Sequence, residues 1–382
     1  MSSWLKSLGI GIVFVVIFYV LNQMMTSSGF FGTGINDYTA RLLVLIAINI
    51  ILATSLNLIN GFTGQFSIGH AGFMAVGAYA SAFFTMSYGK TLESSVGFLG
   101  ETVAVSLVLL AALAVGAIVA GLMGLIVGIP SLRLKGDYLA IVTLGFAEII
   151  RIVILNIDAV GGATGYLNLP GYANFFWIGI FTVITVVVIR NIVKSNTGRA
   201  LISIREDELA AEAMGVNTTR YKVTAFVIGS AFAGIAGVLF AHNNKFLHPD
   251  TFQFIYSFEI IIMIVIGGMG SMTGAILGAI IVTLLPELLR YLQKIQDITL
   301  EPMLGIDLPF NIGELRLVIF ALILILTMIL RPQGILGTSE FGLSWLKRPR
   351  KQPEGTEAVG GTGGVPEAQQ EEAKRLESEE KD

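Results

Sequence analysis

Residues 61–77 read GFTGQFSIGHAGFMAVG. Five glycines fall in these seventeen positions, with Gln65, Ser67 and His70 among them, and long apolar runs flank the stretch on both sides. A glycine inside a helix costs about 1 kcal/mol relative to alanine. Gly61, Gly64, Gly69, Gly72 and Gly77 therefore imply a break near 60–66, followed by a closely packed helix. If the flanking runs lie in lipid, the freed backbone must be buried in protein or line a wet path, since hydrocarbon satisfies no polar group. Broken helices of this kind flank transport pathways. Gln65, Ser67 and His70 can bond the freed backbone or face a passing solute. Each also fits a plain turn between two helices, with His70 hydrogen-bonded inside the protein.

The flanking runs do demand lipid. Of 382 residues, 54% are hydrophobic and only 13% charged, whereas soluble domains average about 25% charged. Ten segments approach the roughly 20 apolar residues that cross a bilayer core: 8–25, 41–60, 66–86, 102–128, 137–155, 174–192, 223–241, 252–268, 270–286 and 312–330. The first follows only Lys6 and no small-residue cleavage site comes soon after it, so it reads as a retained helix. Lysine and arginine set the orientation. With the N-terminus inside, the inner loops collect Lys6, Arg133, Lys135, Arg190, Lys194, Arg199, Arg205, Arg220, Lys222, Arg331 and the run KRPRK at 347–351. The outer loops hold fewer, and 156–173 holds none. The expected fold is all-α: a polytopic membrane protein of about ten transmembrane helices, a broken glycine-rich segment, and both termini cytoplasmic.

Three divisions follow: 1–37 as an N-terminal transmembrane helix and outer loop, 38–337 as the transmembrane domain, and 338–382 as a cytoplasmic, disordered acidic tail. The tail carries the chain's negative charge: residues 352–382 hold nine acids and three bases. Such a composition buries no core. Small residues recur every fourth position at Ala112, Gly116, Ala120, Gly124 and Gly128; at Gly229, Ala233 and Gly237; and at Gly270, Gly274 and Gly278. These stripes let helix backbones approach closely in lipid, within the subunit or between subunits.

Glu148, Arg151 and Glu259 are the ionisable residues placed well inside a span. Charge there is expensive unless paired or wet. Glu148 and Arg151 are three apart and can pair on one face; Glu259 has no local partner in sequence and points to the bundle. These three join Gln65, Ser67 and His70 as pathway candidates. A second glycine-rich turn, GGMGSMTG at 267–274, stands in a comparable place between two spans.

The longest inner connection, 190–222, contains IREDELAAEAMG. Ser203 and Glu206 have capping-box spacing. Leu209, Ala210, Ala213 and Met214 form an apolar face, and Gly215 is a natural stop. A short helix at about 204–214 is expected, its outer face carrying Glu206, Asp207 and Glu212. An acidic face is ill suited to anionic lipid, so a protein partner is the expected occupant. Catalytic and nucleotide signatures are missing. The nearest imitation of a phosphate-binding loop ends in Gly89-Lys90-Thr91 but has Phe84 where its first glycine should be. The chain has no cysteine, and His70, His242 and His248 lack metal-ligand spacing. No nucleic-acid platform is present. If ATP drives transport, another chain supplies the ATPase.

Several stretches together carry a resemblance: LNLINGFTGQFSIGHAGFMAVGAYASA at 56–82, LRLKGDYLAIVTLGFAEIIRIV at 132–153, GGATGYLNLP at 161–170, REDELAAEAMGVN at 205–217 and LRPQGILG at 330–337. In this order, over roughly 38–337, the chain resembles the bacterial branched-chain amino acid ABC permeases, most closely the LivM-type subunit. The resemblance implies an importer permease in the cytoplasmic membrane of a bacterium or archaeon. It implies a LivH-like second permease, two cytoplasmic ATPases that bind ATP and magnesium, and an extracytoplasmic solute-binding protein. It implies no cofactor on this chain. Residues 205–215 resemble the ATPase-coupling loop, which assigns Arg205, Glu206, Asp207, Glu208, Ala210, Ala211 and Gly215 to that contact. A leucine follows the glutamate of the usual Glu-Ala-Ala run, and the Leu-Pro ending is missing. Urea, short amides or sugars are alternative solutes. An ion-driven carrier or channel is the alternative of another class.

Overall fold

The computed structural model describes residues 37–132, 134, 136–295 and eight scattered positions between 318 and 337. The expected segment 8–25, the acidic tail 338–382, and Arg133 and Lys135 lie outside the described residues, as does most of 312–330.

Eleven α-helices of four residues or more occur among the described residues: α1 (Asp37–Asn57), α2 (His70–Phe84), α3 (Lys90–Val96), α4 (Glu101–Ser131), α5 (Asp137–Leu155), α6 (Phe175–Lys194), α7 (Asn196–Glu206), α8 (Glu208–Ala213), α9 (Thr218–Asn244), α10 (Phe254–Gly267) and α11 (Met272–Ile295). Strands are absent from the described residues; one isolated antiparallel bridge joins Tyr166 and Leu247. Every expected span between 41 and 286 holds a helix. Among the described residues, five helices are long and apolar enough to cross a membrane: α1 with its π-turn extension to Phe62, α4, α5, α6 and α9. The apolar α10 and the 272–288 part of α11 are shorter.

Glycines set the tightest contacts. A Cβ on Gly77 would collide with the backbone of Gly234, and one on Gly237 with the Met74 carbonyl. Gly124 leaves room for Ser230, so α2, α4 and α9 pack almost backbone to backbone. Gly274 and Gly278 do the same for α11 against α10. All three small-residue stripes are thus used within the chain. In lipid such approach gains dispersion contacts, which drive helix association where the hydrophobic effect is weak. Helix α1 runs through the middle, with Ile48, Ile51, Leu52 and Leu56 fully buried against neighbours that include α6, α9, α10 and α11.

The break lies later than the expected 60–66. Helix α1 continues as a π-turn over Leu58–Phe62, where the Thr63 hydroxyl donates to the Leu58 carbonyl (2.8 Å), and the irregular stretch covers 63–69. Gly64, at φ +73°, turns the chain. Gly61 sits in the π-turn and Gly72 inside α2, so these two serve close approach instead of interrupting a helix: a Cβ on Gly72 would reach Ala147 on α5. Gly69 packs on Thr143, six residues into α5, a depth of about 9 Å at 1.5 Å per residue. The chain therefore resumes its helix inside the bundle.

At the other end of α5 and α9, the 156–174 loop lies over 245–254. Tyr166 and Leu247 exchange both backbone hydrogen bonds (2.9 and 3.0 Å), and Leu169 N–H donates to the Lys245 carbonyl. His242 Nδ1 is 3.0 Å from the Pro170 carbonyl, and Tyr172 packs on the His242 ring.

Candidate functional site

The segment 63–69 is held by side chains from four helices or turns. The Asn60 carboxamide accepts from Ser67 N–H and donates to the Ser67 carbonyl, both at 3.2 Å. Ile68 N–H donates to Thr143 Oγ1 (3.0 Å) and Ala71 N–H to Ser257 Oγ (3.2 Å). His70 Nε2 lies 2.8 Å from Ser55 Oγ. Freed backbone is therefore satisfied by protein, as membrane depth requires. Four side-chain atoms of the same stretch are buried without a partner among the described residues: both polar atoms of the Gln65 carboxamide, Ser67 Oγ and His70 Nδ1. Gln65 is only 5% exposed. Sequence reasoning singled out these three side chains, and the structure buries all three, Gln65 and Ser67 in the irregular stretch and His70 at the first position of α2.

The first turn, 61–64, touches the second, 267–274, directly, where a Cβ on Gly61 would lie 2.4 Å from the Gly270 nitrogen, and also through two side chains. Asn57, fully buried, accepts from Gly270 N–H (2.9 Å) and donates to the Ser271 carbonyl (3.0 Å). Arg205 Nη1 donates to the Gly61 carbonyl (3.0 Å). Its Nη1 also occupies space that a Cβ on Gly270 would need, at 2.7 Å, and its Cγ does the same at Gly64, at 2.8 Å. Asn57 was missed from the sequence. The signal was there: a carboxamide in an apolar span needs a partner, and Asn49, Asn57 and Asn60 lie in one such span.

Arg205 lies in the last turn of α7, which buries Leu201 and Ile204. The expected single helix at 204–214 is instead two helices, α7 and α8, bent at Asp207 (φ −156°, ψ +111°). Asp207 caps α8, accepting from Leu209 N–H (2.9 Å) and Ala210 N–H (3.0 Å). The Ser203 hydroxyl turns back onto the Ala200 carbonyl, so the Ser203–Glu206 box does not form. Glu206 pairs with Arg205 (2.6 Å) and Glu208 with Lys222 (2.6 Å), while Glu212 accepts from Thr218 (2.6 Å). Ala211 is buried, whereas Leu209 and Met214 are 71% and 84% exposed. Ala210 is exposed beside them, and Gly215 closes the unit at φ +84°, a conformation that favours glycine. A pocket of about 310 Å³ lies between the 63–66 stretch, the start of α5 and residues 204–208, with Gln65, Asp137, Arg205 and Lys222 in its wall.

Glu148 and Arg151 pair as expected (2.8 Å). Arg151 also reaches Asp250 (3.2 Å), and Glu148 accepts from Phe254 N–H (3.1 Å) at the start of α10. Their bonds run to the Asp250–Phe254 corner and not to Gln65, Ser67 or His70. Glu259 is half-buried on α10. In the 156–174 loop, burial and next the Glu93 carboxylate, to which Tyr172 donates at 3.3 Å, push the Tyr172 phenol above its ordinary pKa. No group of three or more His, Asp or Glu able to hold a metal ion occurs among the described residues.

Comparison with known proteins gives this arrangement its context. Residues 38–328 match the family model described as branched-chain amino acid transport system / permease component. The chain is 32% identical to the high-affinity branched-chain amino acid transport system permease protein LivM of Escherichia coli K12, over 78% of this chain and 70% of that one. It is 26% identical to the probable LivM of Methanocaldococcus jannaschii, over 78% and 93%. A shorter region, 38% of this chain and 41% of the relative, is 31% identical to LivH of Escherichia coli K12. No solved structure matches the chain.

Proposed function

We infer the function from one premise: this chain belongs to the family of branched-chain amino acid transport permease components. It is a permease subunit of an ABC importer for branched-chain amino acids, an all-helical multi-pass membrane protein. Permease components of such systems are not themselves catalytic. The observation that carries this is the family match over 38–328, supported by the likeness to LivM along most of both chains. Likeness to LivM and LivH together points to a permease pair.

The finer reading is our proposal. The chain makes about ten spans with both termini in the cytoplasm, as its lysine and arginine distribution favours, and sits in the cytoplasmic membrane of a bacterium or archaeon. Its division into 1–37, 38–337 and a cytoplasmic tail 338–382 is part of the same reading. A LivH-like permease completes the pathway, two cytoplasmic ATPases bind ATP and magnesium, and an extracytoplasmic binding protein selects the solute. This chain binds no cofactor.

In this reading α8 is the ATPase contact. Leu209 and Met214 are large apolar side chains standing out from a short capped helix, which suits a partner groove. Closure of the ATPase pair presses on 205–215, and the transporter shifts between inward- and outward-open populations. Gln65, Ser67 and His70 stand beside the pathway, where buried polar atoms without partners mark a segment that repacks as it switches. Glu148, Arg151 and Glu259 are weaker members of that set, since the first two already form an ion-paired corner.

The test is uptake of radiolabelled leucine by a strain lacking this chain, with and without the gene restored. Uptake should disappear and return, and an ATPase should co-purify with the tagged chain. Undiminished uptake without the chain, or transport by the purified chain with no nucleotide hydrolysed, refutes the reading.

A further inference from the structure

An arginine of the ATPase-facing segment reaches into the bundle, and the importer reading alone gives no reason for it. We propose that Arg205 is a positioning residue that ties α8 to both glycine-rich turns, so that displacement of α8 moves the broken helix and the α10–α11 turn together. The inference rests on the importer reading.

Two backbone segments meet on this one side chain, the 61–64 turn and the 267–274 turn. Its Nη1 donates to the Gly61 carbonyl at the end of the π-turn. The same nitrogen lies against Gly270, and the aliphatic stem lies against Gly64. At Gly64 and Gly270 a Cβ would displace the arginine, so these two glycines make the seat that it occupies; at Gly61 a Cβ would meet Asn57 and the Gly270 nitrogen. On its own chain Arg205 is two residues from Asp207, whose carboxylate caps α8. A push on α8 therefore arrives at Arg205 through two residues of backbone. Glu206 holds Nε and Nη2 (3.1 and 2.6 Å) and leaves Nη1 aimed at Gly61. The planar fork allows this, since guanidinium donors diverge in fixed directions.

Asn57 makes the response common to both turns. It links Gly270 N–H and the Ser271 carbonyl to the last turn of α1. Movement of the first turn then carries the second with it. The pocket of about 310 Å³ beside Thr63–Phe66 gives the segment space to move. A purely local role is the competing account: Arg205 as a helix-end cap on the Gly61 carbonyl, stabilising that turn and transmitting nothing.

The absence of cysteine from the chain makes the distinction measurable, because a single introduced cysteine, labelled on the purified chain before assembly, marks one position. In the full transporter assembled with its second permease and ATPases, a spin label on Phe66→Cys reports the break, and one on Ala213→Cys reports α8; both positions are exposed. In the otherwise native complex, trapping with nucleotide and vanadate should change both spectra. With Arg205→Ala the Ala213 response should persist and the Phe66 response should vanish. ATP hydrolysed per leucine imported should rise several-fold. Arg205→Lys, which restores charge without the fork, should recover part of both. A Phe66 response that survives in Arg205→Ala, or an unchanged ATP-to-leucine ratio, overturns the tie. Where Arg205→Ala does not assemble, Arg205→Lys takes the same test, and a full Phe66 response there overturns it. An otherwise native complex whose Ala213 label ignores nucleotide overturns the importer reading, and the tie falls with it.

Discussion

Replacing Asn57 with leucine tests whether the two glycine-rich turns are one unit. The substitution keeps a similar volume in a fully buried position and removes two hydrogen bonds, to Gly270 N–H and to the Ser271 carbonyl. Side-chain hydrogen bonds in membrane proteins average about 0.6 kcal/mol, so the bonds alone set a floor near 1.2 kcal/mol. Leaving the partner groups unpaired adds about 1–3 kcal/mol for each one that stays buried. The Ser271 carbonyl keeps its bond from Ala275 N–H (3.0 Å), so only the half-buried Gly270 N–H loses its side-chain partner. A loss of about 1–3 kcal/mol follows, and the melting temperature should fall by a few degrees. The assay is gel filtration of the detergent-solubilised complex after stepwise heating, with leucine uptake measured in parallel. Uptake should fall with the melting temperature, because the turns no longer move together. An unchanged melting temperature would show that the two turns are held by other contacts, and the argument for a joined unit would fail.

Gly69→Leu places a Cβ only 2.6 Å from the Thr143 carbonyl oxygen; uptake should be lost while the ATPase still co-purifies, and persistent transport would reduce the segment to packing. Asp207→Ala removes both capping bonds of α8, at about 0.5–2 kcal/mol; ATPase recovery in pull-downs should drop, and Asp207→Asn should restore it, since asparagine caps equally well. Tyr172 carries a phenol pKa raised by burial and by Glu93. Stability from the neutral phenol is then complete below the free value of about 10 and is lost as pH rises through the higher folded value. Melting curves between neutral and strongly alkaline pH should show that loss in the native chain and a smaller one in Tyr172→Phe.

The spans were legible because lipid enforces a simple rule: an uninterrupted apolar run of the right length becomes a helix. The segment 137–155 matches α5 residue for residue, and 174–192 misses α6 by one residue at its start and two at its end. The break was legible as glycine density but misplaced, because glycine serves two ends. At Gly64 it gives the chain a positive φ; at Gly72 it lets α5 approach within a straight helix. Composition does not separate those uses. Contacts between Gly61, Arg205 and Gly270 were not legible at all. They join positions 144 and 65 residues apart, and nothing local in 61–64 or 267–274 names the side chain that fills the space.

The 204–214 segment shows why local pattern misled. Ser203 and Glu206 have the spacing of a capping box, but a capping residue must stand outside its helix. Ser203 lies within α7, which begins at Asn196, so its hydroxyl bonds backward and the cap passes to Asp207. The expected acidic face then dissolves into separate local tasks: Glu206 orients Arg205, Asp207 caps α8, Glu208 holds Lys222 and Glu212 holds Thr218. What α8 leaves facing outward is Leu209 and Met214. Affinity for the ATPase should therefore come from apolar side chains seated in a groove, with weak salt dependence, because exposed charges a Debye length apart are screened and buried apolar contacts are not. Reversing Glu206 or Asp207 to lysine would still damage coupling, but through a lost cap and a misdirected Arg205. Leu209→Ser with Met214→Ser isolates the contact itself: it leaves every hydrogen bond of α8 in place and should release the ATPase at all salt concentrations. Retention of the ATPase by that double variant, and its release by salt alone, would return the interaction to charge.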